Sequence, residues 1–404
     1  MKKKSTIYLG VIIITIFSNS LQTFAQGTTD SPSSMFGLGE LVTNETGRFA
    51  GMGGVGIALR SDNFLNTNNP AAITAIDSCK FVWEMGARGS YDEYYSGSQH
   101  SHAEEGNFSN INLGFSVKKF AFGVGISPYS SMGYAITETN SVAGGSGIQL
   151  VNTLFEGSGG TSKLYLTGAY KLFKNLSIGT NLNYLLGRTV ETETMDASTQ
   201  QITSRKVACF ADFGLQYYRP ITKKYMLTVG LVYGYKQNIH EINKITVADQ
   251  NGGIGITQGL HKVPQIVPQY FGGGIALSSD KWIFTGDYRL VQWSPMKVDV
   301  VSFVDQNIFN VGASYLVGNL YREPLRLMGG LGYENSYVEK NSINPKTYSV
   351  SAGIGIPVVG GNTLSFGFKY AIQSADYTKF QKTNSLSFFL NISFHERSMR
   401  YKIE

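Results

Sequence analysis

Charge is scarce in this chain. Asp, Glu, Lys and Arg together make up 15% of its 404 residues, against roughly 25% in an ordinary soluble protein. The shortage argues against a coat of solvated side chains all round a water-soluble domain. The charges that remain sum to +6, but the lysine pairs Lys118-Lys119 and Lys223-Lys224 sit at turns rather than along a stripe, so nucleic acid is not an expected partner. Cysteine is nearly absent too: Cys79 and Cys209 stand far apart with no CxxC pair, which excludes a disulfide framework and leaves one bridge open at most. Cys209 shares strand parity with Phe213, Leu215 and Tyr217 and is expected to face lipid with them. No Pro-rich or Ser-rich linker divides the chain, so a single large domain is expected.

Long apolar runs are also missing. The longest, Ile7 to Phe17, is shorter than the ~20 residues of a membrane helix, and it has another explanation. It follows Lys2-Lys3-Lys4 and precedes the small-residue exit Thr23-Phe24-Ala25, the pattern of a secretory signal peptide over residues 1–25. No cysteine follows the expected cleavage point, so a lipid anchor there has nothing to attach to.

What the chain does have is alternation. Leu176, Ile178, Leu182, Tyr184 and Leu186 alternate with Ser177, Gly179, Asn181 and Asn183, and Leu364, Phe366, Phe368, Tyr370 and Ile372 alternate with Ser365, Gly367, Lys369 and Ala371. A strand sends alternate side chains to opposite faces. One face here is greasy and the other small and polar, whereas the wet face of a soluble sheet would carry many Lys and Glu. Aromatics at 13% and 47 glycines fit the same picture. Strands are predicted at 80–91, 107–118, 119–130, 161–173, 175–190, 204–219, 224–238, 262–278, 281–294, 306–317, 325–338, 346–357, 362–374 and 384–395. Short connections alternate with longer ones, the largest at 131–160 and 239–261, as in outer-membrane barrels with tight periplasmic turns and long external loops. The fold class expected is all-β: a transmembrane antiparallel barrel of about fourteen strands over residues 80–404. Residues 26–79 lack sustained alternation and are expected to form an N-terminal hatch inside the lumen.

Within that segment Asn69 suits a helix N-cap, Pro70 the first helical position, and Ala71-Ala72 continue the turn. Gly51, Gly53 and Gly56 satisfy GxGxxG, but no buried strand precedes them, so plug backbone is the favoured reading and no cofactor is expected. His100 and His102 with Glu104 and Glu105 could hold a metal, although loop polarity is the simpler reading and no metal is expected. Asp287, Arg289 and Lys369 are expected to face the lumen, either as contacts to a ligand headgroup or as a structural ion cluster. The five histidines lie near loops with no Ser partner in view, so catalysis is not expected.

These residues together resemble the FadL/TodX type of outer-membrane transporter for hydrophobic compounds. Asn69-Pro70-Ala71 resembles the hatch motif of that family. Pro128, followed by Tyr129, lies where the family kinks its third strand and opens the wall sideways; a proline cannot donate to the strand ladder. The resemblance implies a monomeric outer-membrane protein that carries hydrophobic small molecules, such as long-chain fatty acids, past the hatch and sideways into membrane lipid. An alternative it leaves open is a docking or shuttle partner in a secretion or surface-assembly system.

Overall fold

The computed structural model describes residues 32–35, 37–42, 47–78, 80–144, 147–195, 198–248, 254–258, 265–298, 301–318, 324–339, 343–358, 362–374 and 382–397. The expected signal peptide and Cys79 lie outside them. The chain forms a closed antiparallel barrel of fourteen strands. In chain order these are β1 (Lys80–Ser96), β2 (Gln99–Val117), β3 (Phe120–Gly144), β4 (Gly147–Phe173), β5 (Leu176–Met195) and β6 (Ser198–Pro220). Then come β7, in two pieces (Met226–Gly234 and His240–Ala248), and β8, also in two (Ile254–Gln258 and Gln269–Ser278). The last six are β9 (Trp282–Gln292), β10 (Gln306–Val317), β11 (Leu325–Asn335), β12 (Lys346–Val358), β13 (Asn362–Ser374) and β14 (Lys382–Arg397). The β1–β14 ladder from Lys80↔Arg397 to Tyr95↔Lys382 closes the wall.

Side-chain parity follows the predicted pattern. Leu182 is 59% exposed and Phe388 55%, while Ser177, Asn181, Asn183 and Ser365 point inward and are buried. Cys209 is exposed on the outer face. Aromatic rings band the outer wall at two heights: Phe213, Tyr233 and Phe271 stack in sequence at one level, as do Tyr288, Phe309, Tyr333 and Tyr348. Near the tight turns the pairs are Trp282 with Tyr315, Phe120 with Tyr170, and Trp83 with Phe394. Two such girdles flanking an apolar band are the signature of a barrel wall in a bilayer.

Two expectations about loops are corrected. Residues 131–160 are not a loop: β3 and β4 stay paired from Phe120↔Tyr170 up to Gly144↔Gly147. Residues 240–248 and 254–258, within the second long loop expected, also pair as strands. Above the apolar band neither face is held to a single polarity, so the greasy alternation that marks a wall strand fades. The Thr and Val residues that favour extended backbone persist there, and so does the ladder.

The described residues from Gly47 to Ser78 lie inside the barrel, where they touch the wall through glycine. A Cβ on Gly179 would stand 2.6 Å from the Pro70 carbonyl carbon, one on Gly312 would overlap the Met52 carbonyl, and one on Gly330 would overlap the Gly53 amide. Gly51 lies as close to Gly353, with 3.0 Å between a built Cβ and the Gly353 Cα. At these positions the wall meets plug backbone rather than plug side chains. Substituting Gly312→Val should force this contact apart at a cost of about 1–3 kcal/mol. The expected result is a barrel that still folds, judged by its heat-modifiable migration, with a lower Tm and a proteolytic cut within 47–78 that the wild type resists.

Candidate functional site

Asn69 organises the plug. Its backbone is extended, its side-chain Oδ1 accepts from the Ala71 amide at 3.0 Å, and Pro70 opens the 3-10 helix Pro70–Ala75. A proline there loses nothing, because the first amide of a helix has no partner to bond. The Asn69 Nδ2 donates to the carbonyl of Ile57 at 2.8 Å and lies 3.2 Å and 3.4 Å from those of Leu215 on β6 and Leu231 on β7. The residue is fully buried. A Cβ at Gly214 would overlap its Oδ1, so the motif depends on glycine in the wall opposite. Gln216 donates to Ile57 at 2.9 Å, Thr74 donates to Ser177 at 2.8 Å, and Arg60 donates to Gln216 at 2.8 Å. The Arg60 guanidinium also lies over the Tyr218 ring at 4.0 Å. Burial lowers the Arg60 pKa to about 10, which keeps it cationic at neutral pH. Burial first, and the Arg326 charge second, hold Arg48 well below an arginine's ordinary value.

The glycine-rich run at Gly51–Gly56 is tight backbone, with positive φ at Gly53 and Gly54. It ends on Asp287, whose Oδ2 accepts from the amides of Gly56 at 2.6 Å and Ile57 at 2.8 Å. Asp287 thus holds the plug to β9, a use that sequence reasoning missed. Its signal lay in the pairing of an inward carboxylate with an unusually glycine-rich segment.

Above the plug is a cavity of about 770 Å³. Leu41, Tyr129, Phe210, Val267, Trp293 and Tyr337 supply apolar lining. Trp293 stacks on Tyr337 at 4.8 Å and lies 6.4 Å from Phe303. Lys163, Asp212, Asp287 and Arg289 supply charge to the same space, and Lys369 lines it too. The three residues expected in the lumen, Asp287, Arg289 and Lys369, therefore do line one cavity. Arg289 lies 5.3 Å from the Tyr270 ring centre, and its Nε has no hydrogen-bond partner. Sequence reasoning missed Lys163 and Asp212, which are single charges in otherwise ordinary strands, and the Trp293–Phe303–Tyr337 group, whose members come from the ends of the strands expected at 281–294 and 325–338 and from the connection between 294 and 306.

The wall itself is interrupted beside this cavity. The ladder of β2 with β3 runs only from Val117↔Phe120 to Ile111↔Ile126. Pro128 follows, and Tyr129 is bulged out of the β3–β4 ladder, between Pro128↔Ser162 and Ser130↔Thr161. The bulge turns Tyr129 toward Phe210 in the lumen, with ring centres 6.5 Å apart. In place of β2, a short strand Glu40–Leu41 pairs with Ser131 and Ser130, and the Val42 amide donates to Tyr129 at 3.0 Å.

His100 and His102 lie in β2, not in a loop, and pack against Tyr95 at 4.6 Å and Tyr91 at 5.8 Å. Glu105 sits on the opposite face, paired with Arg88 at 3.2 Å. Strand parity therefore separates it from the histidines, and the described residues hold no group of three or more His, Cys, Asp or Glu suited to a metal.

A family model described as BamG matches residues 1–402. No curated protein matches the chain in sequence. Solved structures are similar in fold. The CymD monoaromatic hydrocarbon channel is 17% identical, with 89% of this chain and 100% of that chain covered and a TM-score of 0.59. A Pseudomonas aeruginosa FadL homologue is 13% identical over 90% and 100% of the two chains, with a TM-score of 0.61. The Ralstonia pickettii toluene transporter TbuX is 13% identical over 86% and 97%, with a TM-score of 0.59.

Replacing Asn69 with Ala strands its buried carbonyl partners and removes the cap, a loss of about 1–3 kcal/mol. Asp287→Asn keeps an acceptor for the two plug amides and should cost less than Asp287→Ala. Thermal unfolding of the three variants should rank Asp287→Asn above Asp287→Ala and Asn69→Ala in Tm.

Proposed function

This chain is a member of the BamG family, and on that premise we propose that it moves hydrophobic small molecules across the outer membrane. The barrel fold and the family point to an outer-membrane protein of a Gram-negative cell. The observation that carries the proposal is the end of the β2–β3 ladder at Ile111↔Ile126, directly beside the 770 Å³ cavity. An apolar solute gains nothing from a wet pore that empties into water. A sideways exit at this break delivers it into hydrocarbon instead, where burial is worth about 25 cal/mol per Å² of apolar surface.

In this reading the solute packs its apolar part against Tyr129, Phe210 and Trp293. A polar or acidic head turns toward Lys163, Arg289 and Lys369. Pro128 and the bulge at Tyr129 keep the break open by withholding ladder bonds, and Glu40–Leu41 covers it from within. Release requires this short strand to leave β3. Two paired residues make a weak cover, at a net ~0.5–1.5 kcal/mol per hydrogen bond. Long-chain fatty acids and monoaromatic hydrocarbons both suit the lining, and a monomer suffices for the path. A second reading, a docking component of a surface or secretion assembly, is favoured by the strands that project beyond the apolar band.

A reversible crosslink tests the exit. Leu41 and Ser130 face each other across the short ladder, so Leu41→Cys with Ser130→Cys, made in a Cys79→Ser, Cys209→Ser background, should join the cover to β3 on oxidation. Uptake of labelled long-chain fatty acid and of labelled toluene is then measured with the barrel in liposomes. At least one solute should show saturable uptake that falls about tenfold on oxidation and returns on reduction. Uptake indifferent to the crosslink would remove the sideways exit, and no uptake of either solute would favour the docking reading.

A further inference from the structure

The same break leaves a second feature, which goes beyond the transport reading and does not rest on it. Above Ile111↔Ile126 the β1–β2 and β3–β4 hairpins separate. β1–β2 stays paired up to Ser96↔Gln99 and β3–β4 up to Gly144↔Gly147, so, among the described residues, each hairpin carries one strand edge that faces the other without a ladder partner beyond the two pairs that Glu40–Leu41 makes with β3. Exposed edges of this kind template the addition of another strand, and proteins ordinarily blunt or cover them.

The chain shows on itself that the β3 edge accepts a strand. Glu40 and Leu41 pair with Ser131 and Ser130, and the Tyr129 carbonyl accepts from Val42. Two residues further on, the Ser34 hydroxyl accepts from the Gly133 amide at 3.1 Å and donates to the Gly133 carbonyl at 2.9 Å. In an antiparallel strand alternate residues turn their backbone groups to the same side. The run of slot-facing groups used at Tyr129 and Gly133 therefore continues through Ala135, Thr137 and Thr139, all exposed. From Met132 to Gly144 the edge offers on the order of 40 Å at ~3.3 Å per residue.

Charge selects the occupant. Over residues 88–110 and 127–162, which flank the slot, the carboxylates outside the cavity lining are Glu93, Glu104, Glu138 and Glu156, while the nearest cations, Arg88 and Lys163, line the cavity together with Asp92 and Glu105, the last of which pairs with Arg88. The chain as a whole is +6, so this acidic concentration is local and opposite in sign to the rest. We propose that the slot between β2 and β3 receives an extended, basic segment of a partner polypeptide, which adds as a strand to the free edge of β3. Backbone bonds supply the pairing and the acidic flanks supply the preference for Lys and Arg, the mode of strand addition used by peptide-binding sheets.

The test uses the full-length protein in nanodiscs and a fluorescent decapeptide of alternating Lys and Thr. Two control peptides carry N-methyl groups on alternate amides or Glu in place of Lys. Binding is read by anisotropy. The Lys-Thr peptide should bind saturably and more weakly as salt rises, the N-methylated peptide should lose about tenfold in affinity, and the Glu-Thr peptide should not bind. Thr137→Pro, which removes a slot-facing amide where an edge strand tolerates proline, should weaken the Lys-Thr peptide to a similar degree. Absence of binding would overturn the proposal, and so would equal affinity for the N-methylated peptide, since that reports charge attraction without strand pairing. A dimer mass for the protein alone that Thr137→Pro abolishes would also overturn it, by giving the edge to a second copy of the chain.

Discussion

The structure rests on a contact between two backbones: the plug from Gly47 to Ser78 and the inner wall of the barrel. A strand wall normally keeps a plug away by the width of a side chain. Here Gly179, Gly230, Gly312 and Gly330 remove that side chain where plug backbone crosses. Carbonyls and amides of plug and wall then come within reach of a few side chains that finish the joint, namely Asn69, Gln216, Thr74 and Asp287. Each bond is worth only about 1 kcal/mol net, but the groups are buried, and leaving one unpaired costs more than making it gains. The plug is accordingly fixed by many small terms that fail together if the wall glycines are filled.

A plug seated this firmly shapes what the barrel can do. The cavity sits above the described residues Gly47–Ser78 and beside the break between β2 and β3. That break has a local cause in Pro128, the bulge at Tyr129 and the positive φ of Gly159 and Gly160 on the facing strand. It is covered by one of the shortest pairings among the described residues, that of Glu40–Leu41 with Ser131 and Ser130. Local stability is uneven in proteins, and the elements that move are drawn from the poorly bonded end of the range. In the transport reading, the covering strand and not the plug is the part that moves.

Much of this was legible in the sequence because lipid imposes a strict period. Leu182 and Phe388 could be assigned to the outer face, and Asn181 to the lumen, from parity alone, and the same parity gave fourteen strands. The extension of β3 and β4 through 131–160 was not legible, because above the bilayer neither face needs to be apolar. The Asn69 cap and the proline that follows it carried their geometry in three residues. The partners of Asn69 did not, since Leu215 and Leu231 contribute only carbonyls, which every residue has. The same holds for Asp287: its inward position followed from alternation, while its bond to Gly56 depends on a register between plug and wall that no local pattern encodes. The role of glycine was half visible, as abundance without address.

The most direct test of the account is amide hydrogen exchange on the protein in nanodiscs, resolved to single residues. Gly56, Ile57 and Ala71, whose amides donate into the buried joint, are expected to exchange as slowly as the central amides of β5 and β6, while Val42 on the covering strand exchanges far faster. Fast exchange at Gly56, Ile57 and Ala71, comparable to the tight turns at Lys118 and Lys223, would contradict it, because the plug would then be loosely held and the wall glycines would need another explanation.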